Sequence, residues 1–175
     1  MSQAAKDPDI LLGPGASGSP AGMRPYLTGL AARGLTAAIV SLPKGKAERA
    51  VPAYRAAAAQ HPDAVLGGQS FGGRVATLLA AEQPVRALVL TCFPMHLPGK
   101  PDMWQERTAH FPQVSCPVLL LSGDADPRAR ADLLRRAVER LPQATLHLYP
   151  GVGHGLRPVL PDALDRIAAF VNALA

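Results

Sequence analysis

Apolar residues along this chain gather in six short runs, each closed by glycine, proline or polar residues. They are DILLG (9–13), TAAIVSL (36–42), AVLGG (64–68), RALVLTC (86–92), PVLLLSG (117–123) and TLHLYP (145–150). Several are continuous instead of alternating, the pattern of strands covered on both faces. Between them apolar positions recur at helical spacing, most clearly over Tyr26–Arg33, Glu48–Gln60, Phe71–Glu82, Ala129–Arg140 and Pro161–Leu174. This alternation predicts a three-layer α/β/α sandwich around a mainly parallel sheet of about six strands. Ligands of such sheets bind beyond the carboxyl ends of the strands, so the residues following each run carry the functional information. The longest stretch without strand character is Phe93–Ser115. Its PGKP segment (98–101) excludes a regular helix, and a short helix is expected near Met103–His110.

At 175 residues the chain is expected to form a single domain spanning residues 1–175. Its net charge of +5 raises the question of nucleic acid. The arginines are scattered, however, and the densest cluster, Arg128, Arg130, Arg135, Arg136 and Arg140, is mixed with Asp132 and Glu139 at helical spacing. That reads as a solvated helix face, so no nucleic-acid partner is expected. The opening MSQAAKDPDI has no apolar core, and no apolar run reaches the ~18 residues that span a bilayer. Cys92 should end one strand and Cys116 begin the next, at opposite edges of the sheet, too far apart for a disulfide. Two free thiols and a cytoplasmic location without membrane contact are the expectation. No Cys/His cluster has metal-ligand spacing, so neither metal nor organic cofactor is expected.

Three strand ends carry chemistry. After the third run comes GGQSFGG (67–73), which contains G-x-S-x-G between a buried strand and a helix. Small residues at Gly68 and Gly72 would let the strand turn abruptly, lifting the Ser70 hydroxyl clear of the sheet. After the fifth run comes SGDADP, and after the sixth GVGHG with His154. A serine hydroxyl is a weak nucleophile until an imidazole takes its proton, and the imidazole needs a carboxylate to fix its tautomer. Asp126, three residues past Gly123 and stiffened by Pro127, is favoured as that carboxylate; Asp124 is the alternative or a turn cap. His61, His147 and His110 fit less well: one precedes a strand, one alternates within a strand, and one is expected on a surface helix. An oxyanion hole needs two backbone N–H groups. Phe71 supplies one, and the loop GPGAS (13–17), whose Pro14 has none, supplies the other, assigned to Ala16.

These pieces resemble an α/β-hydrolase of the small, lidless kind related to dienelactone hydrolases. More narrowly, the chain resembles the hydrolase-like family that contains the testis-expressed and chromatin-complex (NSL) hydrolase-like proteins. The resemblance runs nearly end to end, through LLGPGAS (11–17), GGQSFGGR (67–74), FPMHLPGKP (93–101), HFP (110–112), SGDAD (122–126) and GHGLR (153–157). It implies Ser70, Asp126 and His154 as a triad, supports Ala16 and Phe71 as oxyanion donors, and places the 93–101 loop beside the site. Pro14-Gly15 stands where many hydrolases have His-Gly, and Pro127-Arg128 where relatives are often bulkier.

The expected function is therefore a serine hydrolase of a small or medium ester or thioester, acting through an acyl-enzyme as a monomer or homodimer. With no cap domain, its cleft should be open and edged by Phe93, Met95, His96, Met103 and Trp104, although Met103 and Trp104 could equally pack the loop down. The rival reading is a catalytically idle hydrolase-like module that binds a partner through the same face. It would be favoured by an exposed apolar patch around Trp104 with Ser70 occluded beneath.

Overall fold

The computed structural model describes residues 6–17 and 19–174. Gly18, Ala175 and the first five residues, part of the opening read above for a leader, lie outside them.

All six apolar runs form strands: β1 (Ile10–Gly13), β2 (Ala37–Ile39), β3 (Val65–Gln69), β4 (Leu88–Thr91), β5 (Val118–Gly123) and β6 (Ala144–Tyr149). They make one parallel sheet in the order β2-β1-β3-β4-β5-β6. The chain steps outward from β1 to β2 and then crosses back to β3. The β1/β3 boundary is thus the switch point, where helices leave for opposite faces and open a crevice.

Six α-helices cover the sheet: α1 (Pro20–Ala31), α2 (Ala47–Gln60), α3 (Phe71–Glu82), α4 (Trp104–Arg107), α5 (Ala131–Val138) and α6 (Leu160–Ala173). Side chains alternate across a strand, so each continuous run feeds two cores. Leu11, Leu66, Leu88, Leu90 and Leu120 pack with α2, α3 and α5 on one face. Ile10, Leu12, Val65, Val89 and Leu121 pack with α1 and α6 on the other. Each such side chain, removed wholly from water, contributes about 1.5–3 kcal/mol.

Several boundaries differ from expectation: α5 (Ala131–Val138) is shorter at both ends than the 129–140 segment, and α4 covers only Trp104–Arg107 of 103–110. Helix α1 begins at Pro20 and runs through Pro25, instead of starting at Tyr26. Pro20 occupies the first turn, where its missing N–H costs nothing, and Ala21 and Pro25 are exposed, so the carbonyl that Pro25 leaves without its helical partner is not sealed in the core. Strand β2 is three residues long, shorter than its run, and pairs with β1 only from Ile10–Ala37 to Leu12–Ile39. The 93–115 segment contains only α4 and two single 3₁₀ turns, Pro101–Met103 and Phe111–Gln113. Cys92 and Cys116 are both buried and free. Among the described residues no helix is long and apolar enough to cross a membrane.

Candidate active site

Ser70 stands between β3 and α3 with φ 49° and ψ −112°, a conformation that costs a non-glycine residue about 1–3 kcal/mol. Backbone contact makes the turn possible. A Cβ on Gly72 would lie 2.1 Å from Gly13 O, and one on Gly68 would lie 2.4 Å from the same oxygen. Helix α3 therefore starts directly against the end of β1, and only glycine fits at either crossing. Beneath the turn, the buried Tyr54 hydroxyl accepts the Gly67 N–H (2.9 Å) and lies 2.6 Å from Gly67 O and 2.9 Å from Leu11 O. It ties α2 to β1 and β3 one turn below Ser70.

His154 reaches the same spot from the loop after β6. That loop lies across the end of β5: a Cβ on Gly123 would sit 1.8 Å from Val152 O, and Ala125 N–H donates to Val152 O (3.0 Å). The crossing brings three side chains into one hydrogen-bonded line. Ser70 Oγ lies 3.0 Å from His154 Nε2, and His154 Nδ1 lies 2.8 Å from Asp126 Oδ2. A carboxylate can only accept, so the imidazole proton is on Nδ1 and the Nε2 lone pair faces the serine hydroxyl. The Asp126 side chain is 0% exposed, and its other oxygen accepts the Arg128 N–H at 2.8 Å. Asp124 is exposed and accepts the Gly151 N–H (2.7 Å), holding the loop after β6. The turn-cap alternative describes Asp124.

Cys92, just past β4, is a buried thiol close to this line. Burial first, and the negative charge of Asp126 second, push its thiol up to about 12. It stays protonated and unreactive at neutral pH.

Phe71 N–H is the first of α3 and has no hydrogen-bond partner among the described residues. Ala16 is exposed and borders two clefts that meet at Ser70. The larger, about 760 Å³, extends past Phe71, Pro94, Leu97 and Met103. The smaller, about 300 Å³, extends past Gly15, Ser17, Met23 and His154.

Four residues expected to edge the cleft do not. Phe93 and Met95 are completely buried, and Phe93 packs edge-on against Phe111 with centroids 5.3 Å apart. Phe93 follows β4 so closely that its ring still points into the core. His96 is buried and tied down: its Nε2 accepts the Arg130 N–H (3.2 Å), so its Nδ1–H donates to Leu97 O (2.8 Å). Trp104 packs inward beneath the Arg136 guanidinium, 4.9 Å from the ring centroid. Of the expected edge residues, only Met103 borders the larger cleft.

Two surface assignments change as well. His110 is half-buried, its Nε2 2.8 Å from Thr77 Oγ1. Arg128 precedes α5 instead of joining its solvated face, and it borders both clefts. Sequence reasoning also missed Arg74 and Arg107 as cleft residues. Arg74 follows Ser70 by one helical turn, a spacing that could have flagged it; Arg107 had no such signal.

Residues 43–170 match the family model described as an alpha/beta hydrolase domain. A 62-residue stretch is 39% identical to the "Putative carbamate hydrolase RutD" of Caulobacter sp. (strain K31), covering 35% of this chain and 22% of that protein. The fold is similar to that of the monoacylglycerol lipase of Paleococcus ferrophilus, with TM-score 0.83, 15% identity, and coverage of 97% and 96% of the two chains. It is also similar to a cold-adapted esterase from an Arctic intertidal metagenomic library, with TM-score 0.73, 18% identity, and coverage of 98% and 85%.

Proposed function

Since this chain belongs to the alpha/beta hydrolase family, we propose that it is a serine hydrolase acting on esters or thioesters, with Ser70 as nucleophile, His154 as base and Asp126 as orienter. The observation that carries this reading is the hydrogen-bonded line from Ser70 through His154 to Asp126, joining residues 84 and 28 positions apart.

Ser70 Oγ attacks the carbonyl carbon as its proton passes to His154 Nε2. The buried Asp126 holds the imidazole in the required tautomer and stabilises its charged form. Phe71 N–H and Ala16 N–H receive the oxyanion of the tetrahedral intermediate. As the intermediate collapses, the leaving alcohol or thiol takes the proton from His154, and the acyl group stays on Ser70. Water, deprotonated by the same imidazole, then attacks the acyl carbonyl, and as the second intermediate collapses the acid leaves and His154 returns the proton to Ser70 Oγ. Ser70 opens onto both clefts, and Trp104 is buried instead of forming an exposed patch. Both facts support catalysis over the idle-module reading.

A fluorophosphonate probe tests the proposal, since it needs an activated serine and little substrate recognition. One adduct on Ser70 by peptide mapping is expected, with labelling and 4-nitrophenyl ester hydrolysis falling about 10⁴-fold or more in Ser70→Ala and His154→Ala. Folded protein that takes no label, or labels equally in His154→Ala, would remove the proposal.

A further inference from the structure

The wall of the larger cleft carries more cationic than anionic side chains. Lys46, Arg49, Arg74, Arg107 and Arg128 border it, against Glu48 and Glu106. Glu48 is already engaged by Arg74 (3.0 Å). Arg107 and Arg128 are half-buried, and among the described residues neither makes an ion pair. Among the described residues the single side-chain hydrogen bond of Arg107 is a long one, 3.4 Å to Pro94 O. Burial first, and then the charges of Arg74 and Arg128, hold the Arg107 guanidinium below its ordinary value, against the opposing pull of Glu106 and Glu48. The first turn of the fourteen-residue α2, residues 47–49, borders the same space and adds the positive end of its dipole. Guanidiniums partly withdrawn from water, close to one another and lacking a carboxylate, leave their hydrogen-bonding capacity to whatever enters the cleft.

Arg128 borders both clefts, as Ser70 and Ala16 do. An anion bound there shares the cleft with the group that lies at Ser70. Resting on the serine-hydrolase reading for its placement, we infer that the substrate is an ester or thioester bearing an oxyanion, a carboxylate or phosphate, held by Arg107 and Arg128. The fork of a guanidinium suits either group, since both present paired oxygens.

The test separates this inference from catalysis by using binding to Ser70→Ala, measured by titration calorimetry. The carboxylate probe is mono(4-nitrophenyl) glutarate, beside its neutral partner 4-nitrophenyl methyl glutarate. The phosphate probe is S-acetyl-4′-phosphopantetheine, beside S-acetylpantetheine. At least one anionic probe is expected to bind on the order of tenfold to a hundredfold more tightly than its neutral partner. The pair that shows the preference identifies carboxylate or phosphate as the source. The preference should shrink severalfold in Arg128→Gln and in Arg107→Gln, and should weaken with added salt. If Arg107→Gln does not fold, Arg128→Gln and Arg128→Glu decide the matter. Equal affinities within both pairs, no detectable binding of either anion, or a preference unmoved by the arginine variants would overturn the inference. Selective binding accompanied by an unlabelled Ser70 in the unsubstituted protein would leave the anion site standing and remove the hydrolase reading instead.

Discussion

On the Ser70 side of the cleft backbone meets backbone, whereas on the Phe93–Arg107 side a loop is held down by its own side chains. At Gly13, Gly68, Gly72 and Gly123 the chain crosses itself so closely that an added Cβ would fall within 1.8–2.8 Å of another backbone atom. Few sequences can build such crossings, and those that can announce them with glycine. The opposite wall has no comparable requirement. Phe93, Met95, Phe111 and Trp104 fill a core, and many apolar sets of similar volume would do the same. A rigid machine and an adaptable wall thus share one cleft, and they should respond differently to substitution.

The sharpest contrast is expected within the wall itself. Phe93→Ala removes a ring with no exposed surface and should cost about 3–5 kcal/mol in chemical denaturation. Met103→Ala, half-buried at the cleft, should cost about 1 kcal/mol or less and act mainly on KM for bulky acyl groups. Equal stabilities for the two variants would mean that Phe93 lines the cleft after all.

On the other side, Gly72→Ala should cost about 3 kcal/mol or more, because the new methyl group meets Gly13 O at 2.1 Å and neither backbone can retreat. Gly15→Ala, with open space around its Cβ position, should leave stability within about 0.5 kcal/mol. A mild effect at Gly72 would break the claim that close backbone approach builds the elbow.

The smallest effect concerns the seam between the two regions, where His110 beside the wall meets Thr77 of α3. Thr77 Oγ1 donates to Arg74 O (2.8 Å), so it accepts from His110 Nε2–H. Burial, with help from Arg74 and Arg140 and against Glu48, lowers His110 to about 4 from the ordinary 6.5. The folded protein then binds the imidazole proton later than the unfolded chain does. Stability from this group is complete above pH 6.5 and is lost as pH falls toward 4, by about 2–3 kcal/mol. In His110→Gln, which keeps a donor at the same reach, the decline in denaturation midpoint between pH 7 and 4.5 should be shallower. An identical decline would place the acid sensitivity elsewhere.

The elbow was legible because its spacing and its glycines express a single local geometry, and Asp126 and His154 because each closely follows a strand whose carboxyl end faces the site. The burial of Phe93, Met95, His96 and Trp104 was not legible: the residues of a loop do not reveal whether it lies open or folds back over the sheet. Arg128 was misread for a related reason, since periodicity carried it onto a helix that begins only at Ala131.

The sequence by itself determined the six strands, their parallel alternation with helices and the place of Ser70 at a strand-to-helix turn, because these follow from hydrophobic period and from backbone sterics between near neighbours. Tertiary structure alone decided which aromatic rings are buried and which arginines turn toward the cleft, and it joined Ser70, His154 and Asp126 in one line. Those outcomes depend on contacts between segments 13 to 84 residues apart, where packing and charge, not local spacing, choose the partner.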